Sequence, residues 1–436
     1  MNLLLVLLGK LALFVSQTFN LGSGSTWPGH IAMETNSNFV RDVLKSNPNL
    51  KIVLIAGTNG KTTTSLMLQK ILEEAKLKVF RNEAGANLLN GIASSIIKNS
   101  NILGNLVYDI AIFEVDENNL GEAIKQVSNV RSQLSIVLLN LFRDQLDRYG
   151  EVNTIAKKWD EALRKLPLST VIFTNGDDPK LSDIANDSTL VRYYFGIEEK
   201  EMKSEKPGVD SDFTYCPDCQ TKLKYSKTSY SHLGKFMCPG CGLTNPETET
   251  FPNLPHSLFG KYNIYNTNAA ALVANKAFDV PIEKIKDALS DFKPAFGRQE
   301  VLKYKNREII MLLSKNPAGF NQSIEAIKDL NKKGNILLIL NDRIPDGRDV
   351  SWIWDVDFEN LPKDSKIFIT GDRAYDMGLR VKYASIIHNS EFIIQNLEEA
   401  IEEATSETST GETLFILPTY SAMLEARKII TGKAIL

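Results

Sequence analysis

The stretch Gly57-Thr58-Asn59-Gly60-Lys61-Thr62-Thr63-Thr64 combines two glycines, a lysine and a run of hydroxyls in an order that suits a triphosphate. Glycines let backbone N–H groups crowd around phosphate oxygens, and a helix starting just behind turns its positive end toward them. Lys61 can then reach the β- and γ-phosphates of ATP, and the Thr62 hydroxyl can ligate Mg²⁺. The general phosphate-loop pattern has a glycine five positions before Gly60, where this chain has Ile55, so a shortened loop is implied. An ordinary glycine-containing turn is the bland alternative.

All four cysteines fall in two knuckles, Cys216-Pro217-Asp218-Cys219 and Cys238-Pro239-Gly240-Cys241. That is the spacing of a tetrahedral zinc ribbon, and four thiolates close the coordination shell, so the expected Zn²⁺ is structural. Two disulfides are a rival without a secretory signal to support it. A redox dithiol would leave the matched second pair unexplained. His232, between the knuckles, reads as a surface residue, because a fifth ligand is not needed. Lys222, Lys224, Lys227 and Lys235 are too few and too mixed with other residues to suggest nucleic acid.

The elements that must carry these groups can be read from periodicity. Lys51 to Ala56 is an apolar, β-branched run of the kind that forms a buried parallel strand, and Ser65 to Leu72 has helical spacing. Tyr108 to Asp116 is a second apolar strand that delivers acids at its C-terminal end, where an open α/β sheet carries its chemistry. Glu114 is therefore the candidate to hold Mg²⁺, directly or through water. Asp116 and Glu117 read as solvated loop acids. Short strands are also expected over 78–82, 135–140 and 170–175, with a helix over 152–166. The alternation predicts a doubly wound parallel sheet. A second series of strands, at 309–313, 336–340, 366–370 and 413–417, predicts a smaller Rossmann-like α/β domain.

At 436 residues the chain is too long for one core. The expected units are 1–40 as N-terminal helix and linker, 41–300 as ATPase domain with the ribbon inserted near 205–250, and 301–436 as C-terminal domain. A net charge of -3 gives no general pull toward nucleic acid or anionic lipid. Met1 to Phe14 is apolar but interrupted by Lys10 and shorter than the roughly 20 residues of a spanning helix. It lacks a basic start and a small-residue cleavage site, so it reads as a helix packed on the protein's own core or lying on a membrane surface. A linker over 21–25 and a turn at Trp27-Pro28-Gly29-His30 should follow.

Several motifs together resemble the Mur ligase family, ATP-dependent enzymes that join an amine to a carboxylate through an acyl phosphate. Gly57 to Thr63 is similar to that family's shortened phosphate loop. Asn140 to Asp144 with Leu146 and Asp147 resembles its Asn…Asp-His-Leu-Asp stretch, with Gln145 in the histidine position. Gly260…Asn263…Asn266 resembles its Gly-x-His-Asn-x-x-Asn, with Tyr262 for histidine, and Gly297-Arg298-Gln299-Glu300 resembles its Gly-Arg-x-Glu. The family's N-terminal nucleotide-sugar domain is missing and a ribbon is inserted, as in one subgroup whose substrate is lipid-linked. Lys315 to Gln322, Asp346 to Asp355 and Leu417 to Leu424 are similar to the same subgroup.

The resemblance implies ATP-dependent amidation of the α-carboxylate of D-glutamate in the lipid II stem peptide, in a cytoplasmic protein working at or near the inner face of the membrane. It implies adenine or ribose contacts for Asn263 and Asn266 and phosphate contact for Arg298. Lys157 stands near the expected place of a carbamylated lysine. With every cysteine committed to zinc, no glutaminase nucleophile remains. Ammonia must come from solution or from a partner, and the resemblance implies a heterodimer with a GatD-type glutaminase. Asp349 would then lend a carboxylate to the partner's histidine, with Asp342, Asp346 and Asp355 as alternatives. Another Mur-type or folylpolyglutamate-type amino acid ligase, or a phosphate-loop and ribbon protein that only binds, are the competing readings.

Overall fold

The computed structural model describes residues 2–18, 26–82, 85–128, 130, 133–144, 152–186, 188–202, 207–208, 210–293, 298–384 and 391–433. The first α/β unit is a six-stranded sheet in the order β2-β3-β1-β4-β5-β6. Its strands are β1 (Lys51–Ala56), β2 (Val79–Arg81), β3 (Ile110–Val115), β4 (Leu134–Leu138), β5 (Val171–Asn175) and β6 (Val191–Phe195). Every pairing is parallel. Side chains alternate along β1. Ile52 and Leu54 enter a core with Phe39, Leu44 and Trp159, while Val53 and Ile55 face Leu68, Ile71 and Ala270 on the other side. A strand buried on both faces cannot alternate with polar residues, which is why this run reads as continuously apolar.

The chain leaves β1 toward the β2 edge, returns to β3 beside β1, and then crosses to β4 on β1's other flank. This is a topological switch point, and it opens a crevice at the C-terminal end of β1. Three segments converge there: the loop from Gly57 into the Lys61–Glu74 helix, the acids after β3, and Asn140 to Asp144 after β4.

The ribbon follows β6 as a hairpin of β7 (Lys224–Tyr230) and β8 (Leu233–Met237). It is tied to the first sheet at one buried acid. Asp177 accepts from Lys235 Nζ at 2.7 Å, from Tyr265 Oη at 3.0 Å and from the Ile197 N–H at 3.0 Å. Desolvation pushes its carboxyl pKa up against these donors. His232 is wholly buried, against the surface position expected for it, because its ring is wedged between Phe142 and Phe213 with centroids 4.8 and 5.0 Å away.

The second α/β unit is another six-stranded sheet, β13-β12-β11-β14-β10-β9. It comprises β9 (Arg298–Tyr304), β10 (Arg307–Leu312), β11 (Gly334–Ile339), β12 (Ile367–Thr370), β13 (Glu391–Ile393) and β14 (Thr413–Pro418), with only the edge strand β9 antiparallel. Residues 298–300, read from sequence as closing the first unit, start this sheet. Trp27 to His30 is the beginning of a helix, Trp27–Thr35, and not a turn, with Pro28 in the first turn where its missing N–H costs nothing. The expected linker over 21–25 lies outside the described residues.

Candidate active site

The loop after β1 is held open by its neighbours. Asn140 Oδ1 accepts the Asn59 N–H at 2.9 Å and Asn140 Nδ2 donates to the Asn59 carbonyl at 3.0 Å. The Thr58 hydroxyl accepts the Phe142 N–H at 2.9 Å. Gly60 has φ +90°, and a Cβ built there would lie 2.2 Å from Asn266 Oδ1. No other residue type fits that position without moving Asn266.

Lys61 and Thr62 begin the helix, and each meets a buried acid. Lys61 Nζ lies 2.9 Å from Glu117 Oε2 and also donates to the Gly57 carbonyl. The Thr62 hydroxyl donates to Glu114 Oε2 at 2.7 Å, the Ser65 hydroxyl to Glu114 Oε1 at 2.7 Å, and Arg81 approaches the same oxygen at 3.3 Å. Asn82 brackets the Glu114 backbone, donating to its carbonyl at 2.9 Å and accepting its N–H at 2.8 Å.

Glu114 thus stands where the sequence predicts an acid. Asp116 and Glu117 do not behave as solvated loop acids. Both are buried, Asp116 as the cap of a short 3₁₀ turn through the Asn118 N–H and Glu117 as the partner of Lys61. The strand pattern ended before them, so nothing local signalled that the chain folds back under the phosphate loop.

Asn263 and Asn266 are buried on the Lys61 side of the Lys261–Phe278 helix. Asn266 Nδ2 donates to Asn263 Oδ1 at 3.1 Å, Asn266 Oδ1 accepts from Thr64 at 3.3 Å, and Asn263 donates to the Phe259 carbonyl at 2.6 Å. They back the loop from below. Arg298 opens β9, and the role expected of its side chain lies outside the described residues, as do Gln145 and Asp147. Lys157 is exposed on the Val152–Leu163 helix, while its neighbours face the site: Lys158 Nζ reaches Asn118 Oδ1 at 3.2 Å and the Trp159 indole donates to the Glu117 carbonyl at 2.8 Å.

The second unit closes on this crevice. Asn316 caps the Pro317–Leu330 helix through the Gly319 N–H at 2.8 Å, and its amide meets the amide of Asn59 with contacts of 3.1 and 3.3 Å. Lys315 pairs with Asp144, and Arg143 with Asp355 at 3.1 Å. Sequence reading grouped residues 315–322 only by resemblance. The partners of Lys315 and Asn316 across the crevice lie 171 and 257 positions away, beyond any local signal.

Of the four acids weighed for the partner role, three have fixed partners. Asp342 pairs with Arg373 at 3.1 Å, Asp346 is buried against Ser421, and Asp355 holds Arg143. Asp349 is exposed, and the Ser351 hydroxyl together with the Ser351 N–H, at 2.8 Å, holds its carboxyl below the usual range.

The four cysteine Sγ atoms lie within 4.8 Å of one another, with Cys216 to Cys241 at 3.5 Å and Cys219 to Cys238 at 3.3 Å. Zn–S bonds of about 2.3 Å put tetrahedral sulfurs about 3.8 Å apart, so the cluster fits zinc. For Mg²⁺ the donor set fits as well: two hard oxygens, from Thr62 and Glu114, at a spacing near the about 3 Å of neighbouring octahedral ligands.

A doubly wound sheet with a shortened phosphate loop at its switch point, closed by a second α/β unit, defines a Mur-type ligase. Residues 55–274 match the Mur ligase middle domain and residues 313–423 the MurT ligase C-terminal domain. The MurT subunit of lipid II isoglutaminyl synthase (glutamine-hydrolyzing) of Streptococcus pneumoniae is 32% identical over 95% of this chain and 94% of its own length. Its counterpart in Staphylococcus aureus is 31% identical over 83% of this chain and 84% of its own. The chain belongs to the MurT family of Mur ligases. Among solved structures it shares its fold with a pseudomurein peptide ligase type C from Methanothermus fervidus (TM-score 0.66, 24% identity, 90% of this chain and 81% of that one). It shares it too with the MurF ligase of Thermotoga maritima, solved with ADP (TM-score 0.62, 17% identity, 91% of this chain and 83% of that one).

Proposed function

We propose that this chain is the ATP-dependent synthetase subunit that amidates the α-carboxylate of D-glutamate in the lipid II stem peptide. The observation that carries the reading is the Lys61, Thr62 and Glu114 cluster in a chain that is similar to MurT subunits over nearly its whole length. A carboxylate is a poor electrophile. Its oxygen attacks the γ-phosphorus of ATP, ADP leaves, and the acyl phosphate now has a good leaving group. The lone pair of ammonia attacks the acyl carbon, phosphate departs with the C–O bonding pair, and the nitrogen sheds one proton.

Thr62 and Glu114 would hold Mg²⁺, which neutralises charge on the phosphates. Lys61 exchanges Glu117 for phosphate oxygens and stabilises the charge in flight. Gly57, Thr58, Asn59, Gly60 and Thr63 line the cradle, and Asn263 and Asn266 fix its shape. Arg298 adds a cation from the second unit. The four cysteines hold a structural zinc. A GatD-type glutaminase supplies ammonia, and Asp349, the one exposed acid of the four weighed, orients that subunit's histidine. Among the described residues no helix is long and apolar enough to cross a membrane, and the lipid-linked substrate puts the enzyme's work at the inner face of the cell membrane.

The test is phosphate release from ATP by the purified chain. Release that requires both lipid II and ammonium, with amide appearing on the stem peptide, supports the reading. Release that requires an amino acid in place of ammonium, or none at all, overturns it.

A further inference from the structure

The Asn2–Thr18 helix is apolar over most of its circumference, with Lys10 its one charged residue, a pattern that normally means burial on more than one side. Here one side is packed: Leu5 and Val6 enter the core and Gly9 sits against Ile97. At about 100° per residue, the opposite arc runs unbroken through Leu4, Leu11 and Phe14, and no part of the described chain covers it. Two further segments extend the face. Trp27 begins the neighbouring helix, which runs antiparallel because Asn36 bonds Asn2 at 3.0 Å. The 102–107 loop joins at Leu3, 4.0 Å from the site of a Gly104 Cβ. Leu4, Leu11, Phe14, Trp27, Ile102 and Leu103 are each between 58% and 69% exposed. Monomeric proteins rarely leave so large an apolar patch open.

We propose that this face lies on the bilayer surface, with the Asn2–Thr18 helix parallel to the membrane and Trp27 at headgroup level. The inference rests on the lipid-linked substrate of the proposed function for why a membrane should be there, and on the face itself for the rest. A protein partner would need a rim of hydrogen-bonding and charged groups. Across Asn2–Thr18, Trp27–Thr35 and 89–107 the charged residues are Lys10, Glu34 and Lys98, so the face has few charges and two of the three are cationic, which suits anionic headgroups. The helix carries Lys10 at its middle, which breaks the apolar run a span requires, and Trp belongs at the interface. Behind the face, a cavity of about 280 Å³ runs from Leu13 past Lys98 to Arg81, which bonds Glu114.

The full chain, with its glutaminase subunit, is mixed with lipid II-free vesicles of phosphatidylglycerol and phosphatidylcholine carrying brominated acyl chains. Trp27 fluorescence should be quenched, with the signal lost in Trp27→Phe and kept in Trp354→Phe. Leu11→Glu and Phe14→Glu, both at exposed positions, should weaken vesicle binding by about tenfold or more, while ATP turnover on a water-soluble muropeptide is unchanged. Absence of vesicle binding in an enzyme that amidates normally overturns the docking proposal alone. Vesicle binding without amidation overturns the ligase reading and leaves docking standing. A lipid-free dimer that the same two variants disperse would assign the face to a second copy and overturn the proposal.

Discussion

The ammonium of Lys61 sits 2.9 Å from the carboxylate of Glu117, both almost wholly out of solvent, at the mouth of the phosphate loop. Each member gives the other an opposite charge within hydrogen-bond distance, which offsets the cost of its burial. Removing one member strands the other.

Lys61→Met should therefore cut ATP turnover by roughly 10²-fold or more and destabilise the chain by about 3 kcal/mol through the unpaired Glu117. Lys61→Met combined with Glu117→Gln should recover most of the stability and none of the turnover. Denaturant unfolding alongside phosphate release separates the two effects, and a double variant as unstable as the single would show that the pair is not the cause.

Asp349→Asn should lower glutamine-dependent amidation by an order of magnitude or more, the scale of losing a triad acid, and spare the reaction fed with ammonium chloride. Equal losses with both nitrogen sources would move Asp349 away from the partner's site.

Chelation should remove one zinc per chain and, because structural zinc contributes folding free energy directly, lower the thermal midpoint. Cys216→Ser should do the same without chelator. The ribbon reaches the core through Lys235 and Asn245 at Asp177, so the loss should spread to the first sheet. An unchanged midpoint with full metal release would count against a structural zinc.

Asp210 lies buried beside His232 and near Asn321 of the second unit, and desolvation raises its carboxyl to about 6. The folded state then holds a proton that the unfolded chain releases near pH 4, so this group's contribution is present below pH 4 and disappears as pH rises through about 6. The swing is about 3 kcal/mol. Asp210→Asn should gain on the native chain by that order between pH 4 and 7 in unfolding experiments. Parallel curves would show that Asp210 is ionised throughout.

The sequence carried the parts of the fold that depend on local period. Strands buried on both faces announce themselves as apolar runs, so β1, β3, β4, β5, β10, β11, β12 and β14 could be read directly. The edge strand β2 was legible too, from Val79 and Phe80, but the more polar edge strands were not. β6 carries Arg192, Tyr193 and Tyr194, and β9 alternates lysines and acids with its apolar residues. At the site, Lys61, Thr62 and Glu114 were visible because a loop motif or a strand end delivers them. Glu117 and Arg81 were not, and Asn140 and Asn316 were singled out only by resemblance, with no contact foreseen for them. Each acts through a contact set by tertiary packing, and an acid paired in the fold looks the same in sequence as one in water.

Asn316 touches Asn59 from the end of β10, and Asp349 hangs from the loop after β11 in that same sheet. No joint separates the two. On the proposed reading, a subunit clasped at the aspartate would be indexed to the triphosphate as a vernier is to its scale, and a tilt of the second sheet that lifts one would carry the other.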